Sequence, residues 1–233
     1  MATSIPINFA RPFALFPMRE VLLLPHAVQP LHIFEPRYRQ MVEQVLDGSG
    51  QIAMASYAPL PNGAGTGERP SLRPAVCIGQ IVQHETLSDG RHNILVHGLC
   101  RANIKHLDEP DGERLYRQAM LEPIERLETE PPNMPDVRRQ LKRLLSRERM
   151  QQLRSIDTVI EWIDQDEIPT IALLELIGFA LITRNDIKYR LLEEGQAERR
   201  ARLVTNELKR IDQLVGAAER QPFRDWPKGM SWN

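Results

Sequence analysis

Six cysteine and histidine side chains, all with metal-ligand chemistry, lie from position 77 to 106: Cys77, His84, His92, His97, Cys100 and His106. Zinc sites bring such donors together through close spacings, Cys-x-x-Cys or His-x-x-x-His, because the ligands must converge on one tetrahedral centre. Neither spacing occurs here, and His92 and His97, an odd number of residues apart, would leave opposite faces of an unbroken strand. Structural or surface histidines are the expected reading, and no metal or other cofactor is implied. Nucleophilic catalysis is no better supported, since the chain has no Gly-x-Ser-x-Gly elbow and Cys77 sits inside an apolar run. Adjacent carboxylates such as Glu193 and Glu194 are common on solvated helix faces. Phosphate binding needs a glycine loop ending in Gly-Lys; Asn62-Gly63-Ala64-Gly65-Thr66-Gly67 lacks the lysine, and no Gly-Lys pair occurs in the chain. What is left points to binding and not to catalysis.

The one charge asymmetry is at residues 135–154, read as a single helix. Arg138, Arg139, Lys142, Arg143, Arg147, Arg149 and Arg154 there outnumber Asp136 and Glu148, a local excess of five positive charges. Such a stripe suits RNA phosphates, but it has no interleaved aromatics for base stacking, and 30 Lys plus Arg against 31 Asp plus Glu give no global attraction to nucleic acid. A solvated face or an acidic protein partner is favoured over RNA, which stays as the alternative function.

The elements that must position any binding residues divide into strands first and helices second, an α+β pattern. Prolines 17, 25, 30 and 36 punctuate the apolar runs 13–16, 21–24 and 31–34, which permits short strands but no helix. Pro36 suits a helix first turn, and Tyr38, Met41, Val42, Val45 and Leu46 then follow at helical spacing up to Gly48. Strands are expected at 51–57, 75–86, 91–107 and 115–124, with Asp89-Gly90 turning a hairpin, and 59–74 reads as a loop. The prolines of residues 130–135 mark a stiff linker, after which the apolar period changes from two to 3.6. Helices are expected at 155–163 and 169–182, another starting at Thr183 and Asp186 through a capping box, and a last long one through Val204, Leu208, Ile211 and Val215. The expected units are a β-rich domain, 1–129, a helical bundle, 130–216, and an aromatic-rich tail, 217–233.

Two cysteines do not make a disulfide framework, residues 1–11 have no secretory pattern, and the apolar run 168–183 is shorter than the roughly 20 residues of a membrane span. A cytoplasmic, non-membrane protein is expected.

The segment Phe16-Pro17-Met18-Arg19-Glu20-Val21-Leu22-Leu23-Leu24-Pro25, running into Pro30-Leu31-His32-Ile33-Phe34-Glu35-Pro36-Arg37-Tyr38-Arg39, resembles the opening of the N-terminal substrate-binding domain of Lon proteases. Ile78-Gly79-Gln80-Ile81 resembles a later strand of that domain, and Gly98 to Arg101 its Gly-x-x-Arg element. The likeness runs from about Phe13 to Leu214 and is weaker in the helices. It implies a small PUA-like barrel or bent sheet with one inserted helix, then a helical bundle ending in a long helix. It also implies recognition of unfolded or degron-bearing proteins or peptides, as an adaptor, holdase or regulator that serves a separate protease or chaperone. The family's ATPase and protease modules have no counterpart in the 233 residues, so a stand-alone, non-enzymatic form is expected.

Within the motif, Phe34, Glu35, Pro36, Arg37 and Tyr38 are expected to be structural: an ion pair fixes the strand-to-helix turn and Tyr38 joins the buried stripe. Peptide contacts are expected at Leu60, Leu72 and Arg73 in the 59–74 loop, with the groove between that loop and the barrel. Self-association through the last helix or tail is a further expectation, and Phe223, Trp226 and Trp232 give the tail the means to imitate an aromatic client.

Overall fold

A computed structural model describes residues 5–59, 70–125 and 133–220. Its order is β1 (Phe13–Met18), β2 (Val28–Ile33), α1 (Pro36–Leu46), β3 (Gln51–Ser56), β4 (Ala75–Thr86), β5 (His92–Asp108), β6 (Gln118–Pro123), α2 (Pro135–Leu145), a 3-10 turn (Glu148–Gln152), α3 (Ile156–Asp164), α4 (Thr170–Leu181), α5 (Asn185–Glu193) and α6 (Ala197–Glu219). The α+β architecture and the inserted helix are those expected from the sequence.

The six strands form one mixed sheet in the order β2-β5-β4-β3-β1-β6, and β6 also pairs with β5, so five strands close into a barrel with β2 added outside. β1 and β3 are parallel and the other pairings antiparallel. Side-chain alternation explains the apolar composition of β1, β3 and β4. Phe13, Leu15, Ala53, Ala55, Val76, Ile78, Ala102, Ala119 and Leu121 form one small cluster that every barrel strand contributes to, which places it in the barrel interior. The alternate residues, among them Phe16, Ile52, Met54 and Cys77, belong to a second core shared with Leu141, Leu173, Ile177, Leu191 and Leu208 of the helices. One continuous core therefore runs from the outer barrel wall into the helical half.

Three local expectations are corrected. The run 21–24 is not a strand; Leu22, Leu23 and Leu24 are buried in a loop that crosses the sheet. Its passage depends on Gly98, where a Cβ would stand 2.2 Å from the Leu24 carbonyl oxygen. The basic helix stops at Leu145 and does not reach residue 154. Its apolar stripe of Leu141, Leu144 and Leu145 would continue onto Glu148 and Arg149, whose burial would be costly, and the chain instead turns so that Met150 is buried. Thr183 does not cap α5: Arg184 holds that position, no side chain caps the helix, and Asp186 pairs with Arg184 at 2.5 Å.

Candidate functional site

Segments far apart in the chain meet on one side of the barrel around a groove of about 400 Å³. Its walls are Pro17 in β1, Arg37 and Tyr38 in the first turn of α1, Tyr57 after β3 with Pro70 nearby, and the β5–β6 connection from Glu109 to Arg117. Local chemistry fixes each wall. Pro36 opens α1 and directs Tyr38 inward, where its ring meets Phe16 edge-on at 4.5 Å. Burial, followed by the neighbouring Tyr57, raises the Tyr38 phenol well above its ordinary pKa. Arg37 lies 4.4 Å from the centre of the Tyr38 ring and pairs with Glu35 at 2.7 Å. Gln40 holds the opposite wall: its amide nitrogen donates to the Glu113 carbonyl at 2.6 Å and its oxygen accepts from the Leu115 N–H at 2.8 Å. Tyr116 donates to Gln44 at 2.6 Å. Arg117 donates to Glu109 at 3.1 Å and to the Pro70 carbonyl at 2.8 Å, while Arg114 donates to the carbonyls of Glu109 and Tyr116.

Arg37, Arg114 and Arg117 are thus each matched by a carboxylate. Asp111, exposed beside Arg114, is held below the usual carboxylate range by the Arg114 backbone N–H and then by its guanidinium. What the groove offers a ligand is the half-buried Tyr57, prolines and the 43% exposed Leu115, over a floor of the buried Tyr38 and Tyr116. Such a surface takes up apolar side chains along an extended backbone.

Of the expected peptide contacts, Leu72 and Arg73 do not line this groove. Leu60 falls outside the described residues. Leu72 forms a β-bridge with Tyr57 and packs against the barrel-interior cluster. Arg73 donates its backbone N–H to Ser56 at 2.8 Å and lays its guanidinium 3.1 Å from the centre of the Tyr189 ring. Of the motif residues, Arg37 and Tyr38 line the groove; Glu35 and Pro36 set the start of α1, and Phe34 is 61% exposed against His32. Tyr57, Leu115 and Tyr116 were missed, because no periodicity connects positions that only the folded barrel brings together.

The metal-ligand candidates are scattered, and among the described residues no three His, Cys, Asp or Glu groups are placed to hold an ion. Cys77 is buried; His92 is buried with Nδ1 3.1 Å from the Thr86 hydroxyl, and His106 is exposed beside Asp108. The basic segment is largely engaged within the fold. Arg138 donates to the carbonyls of Ile163, Gln165 and Ile168, Lys142 pairs with Asp164, Arg147 with Asp212, Arg149 with Glu219 and Arg139 with Asp136.

A family model described as the ATP-dependent protease La (LON) substrate-binding domain matches residues 13–210. The chain belongs to this Lon substrate-binding family. The match covers the strands that carry the groove and the helices packed behind them. Lon proteases of Brucella abortus and Haemophilus influenzae are each 30% identical to this Lon-family chain, over 115 and 118 residues, about half of it. The aligned part spans only 14% of each of those proteases. The N-terminal domain of Mycobacterium avium complex Lon protease superposes with a TM-score of 0.64 at 19% identity, covering 85% of this chain and 98% of that one. A Lon N-terminal domain protein from Xanthomonas campestris gives 0.55 at 16% identity, covering 91% and 99%. At those identities the superpositions establish the fold. Among the described residues, no helix of this Lon-family chain is long and apolar enough to cross a membrane.

Proposed function

We propose that this Lon-family chain binds extended apolar segments of unfolded or degron-bearing proteins in the groove between Tyr38, Tyr57 and Leu115, as an adaptor or holdase that presents them to a separate protease or chaperone. The observation that carries the reading is the groove itself, with aromatic and proline walls and wall arginines already matched by carboxylates. A groove of that kind selects by shape and apolar contact, and it tolerates varied sequences in the way a binder of unfolded chains must.

The test is a fluorescence-anisotropy titration of a labelled, permanently unfolded carboxymethylated polypeptide. Leu115→Asp places a charge in the groove at an exposed position and Tyr57→Ala removes a wall. Each is expected to weaken binding about tenfold, the scale of a central interface contact. Wild-type affinity in both variants, with native circular dichroism, would refute the assignment.

A further inference from the structure

Behind the barrel four charged side chains meet at the junction with the helices. Arg101 of β5, Glu175 of α4 and Arg200 of α6 are 1%, 1% and 2% exposed, while Glu125, two residues past β6, is 33% exposed. Glu175 reaches both arginines, Arg101 at 2.5 Å and Arg200 at 2.9 Å. Glu125 does the same through a single oxygen, 2.8 Å from Arg101 and 2.5 Å from Arg200. The contacts to Glu175 are close but poorly aligned as hydrogen bonds. One further polar tie crosses the same junction, from Arg101 to the Leu191 carbonyl at 3.3 Å, while Arg200 donates within the helical half to the Glu194 carbonyl at 2.9 Å.

Burying four charges stabilises a fold poorly, because lost hydration offsets the attraction, and packed apolar residues of the same volume do as well or better. What such a cluster can supply is a preference for the arrangement in which its charges balance. The balance is two against two, and withdrawing Glu125 leaves two buried guanidinium groups facing one carboxylate. Glu125 is also the most accessible of the four and stands where the chain leaves the barrel for the helices.

We propose that the cluster is a charge lock that fixes the helical half on the barrel in one orientation, with Glu125 as its release point. While Glu125 bridges Arg101 and Arg200 the junction is closed. When its carboxylate is neutralised or drawn away, Arg200 keeps only Glu175 and the Glu194 carbonyl, and α5 and α6 loosen against β5. β6 joins the two features, starting just after Tyr116 and Arg117 of the groove and ending just before Glu125. The lock does not depend on the groove being the client site.

Hydrogen exchange on the full chain tests this. Glu125→Gln keeps the shape and removes the charge; it is expected to speed exchange about tenfold in amides of residues 191–204 while β3 and β4 stay protected, the signature of a sub-global opening. Glu122→Gln, which breaks an exposed pair with Lys105, is the control and is expected to change neither region. Arg200→Met combined with Glu125→Gln is expected to exchange no faster than Arg200→Met alone, because both act on one lock. An Glu125→Gln profile identical to wild type overturns the proposal, and so does an equal rise in barrel and helices, which would make Glu125 a contributor to global stability only.

Discussion

Gly98 shows how one missing side chain can shape the fold. The 21–27 loop crosses β5 with the Leu24 carbonyl against the Gly98 backbone, and the N–H groups of His26 and Gly98 are satisfied there by the carbonyls of Gly98 and Ala27. Gly98→Ala is expected to cost about 2–3 kcal/mol by overpacking, lowering the melting temperature by about 5–10 °C. Gly112→Ala, with positive φ but open space around it, is expected to cost about 1 kcal/mol. Thermal melts of the two variants distinguish crowding from backbone strain. The thiols give a second residue-scale outcome. Burial, then Glu125, pushes Cys100 up to about 11, and burial raises Cys77 well above its ordinary value. At pH 8 only about a thousandth of Cys100 is thiolate, so iodoacetamide is expected to label neither cysteine at an ordinary rate in the folded protein and both in denaturant. Rapid native labelling, read by mass spectrometry, would contradict the burial described.

Among the elements, α5 has the most specific tie to the barrel. Tyr189 accepts the backbone N–H of Ala75 at 2.8 Å, where β4 begins, and Arg73 covers its ring. Tyr189→Phe leaves that buried N–H unpaired and is expected to cost about 1–3 kcal/mol, measurable by urea denaturation. The elements that local chemistry dictates were legible in the sequence. Proline spacing marked β1 and β2, Asp89-Gly90 marked the β4–β5 hairpin, and the spacing of Tyr38, Met41 and Val42 marked the buried face of α1. Those set by tertiary contacts were not. The 21–24 run has strand composition but serves as a buried crossing, and the charged stretch beyond Leu145 leaves the helix because no apolar stripe continues there. The Gly98 to Arg101 element was visible as a resemblance, but its physical reasons, backbone approach at Gly98 and the buried arginine at the junction, exist only in three dimensions. For the same reason the groove is not legible in the sequence: Arg37 and Tyr38 lie in the motif but are expected there to be structural, and Tyr57, Leu115 and Tyr116 are brought to them by barrel closure.

In the whole molecule, the continuous core joins barrel and helices, while the groove and the charge cluster occupy different parts of it, connected by β6. The most direct measurement is site-specific photocrosslinking to a permanently unfolded polypeptide, with the photoreactive residue at Leu115 on the groove rim or at Leu214, an exposed apolar position on α6. Strong crosslinking from position 115, competed away by unlabelled client and absent from position 214, is the expected result. Equal or stronger crosslinking from position 214 would contradict the groove as the client site.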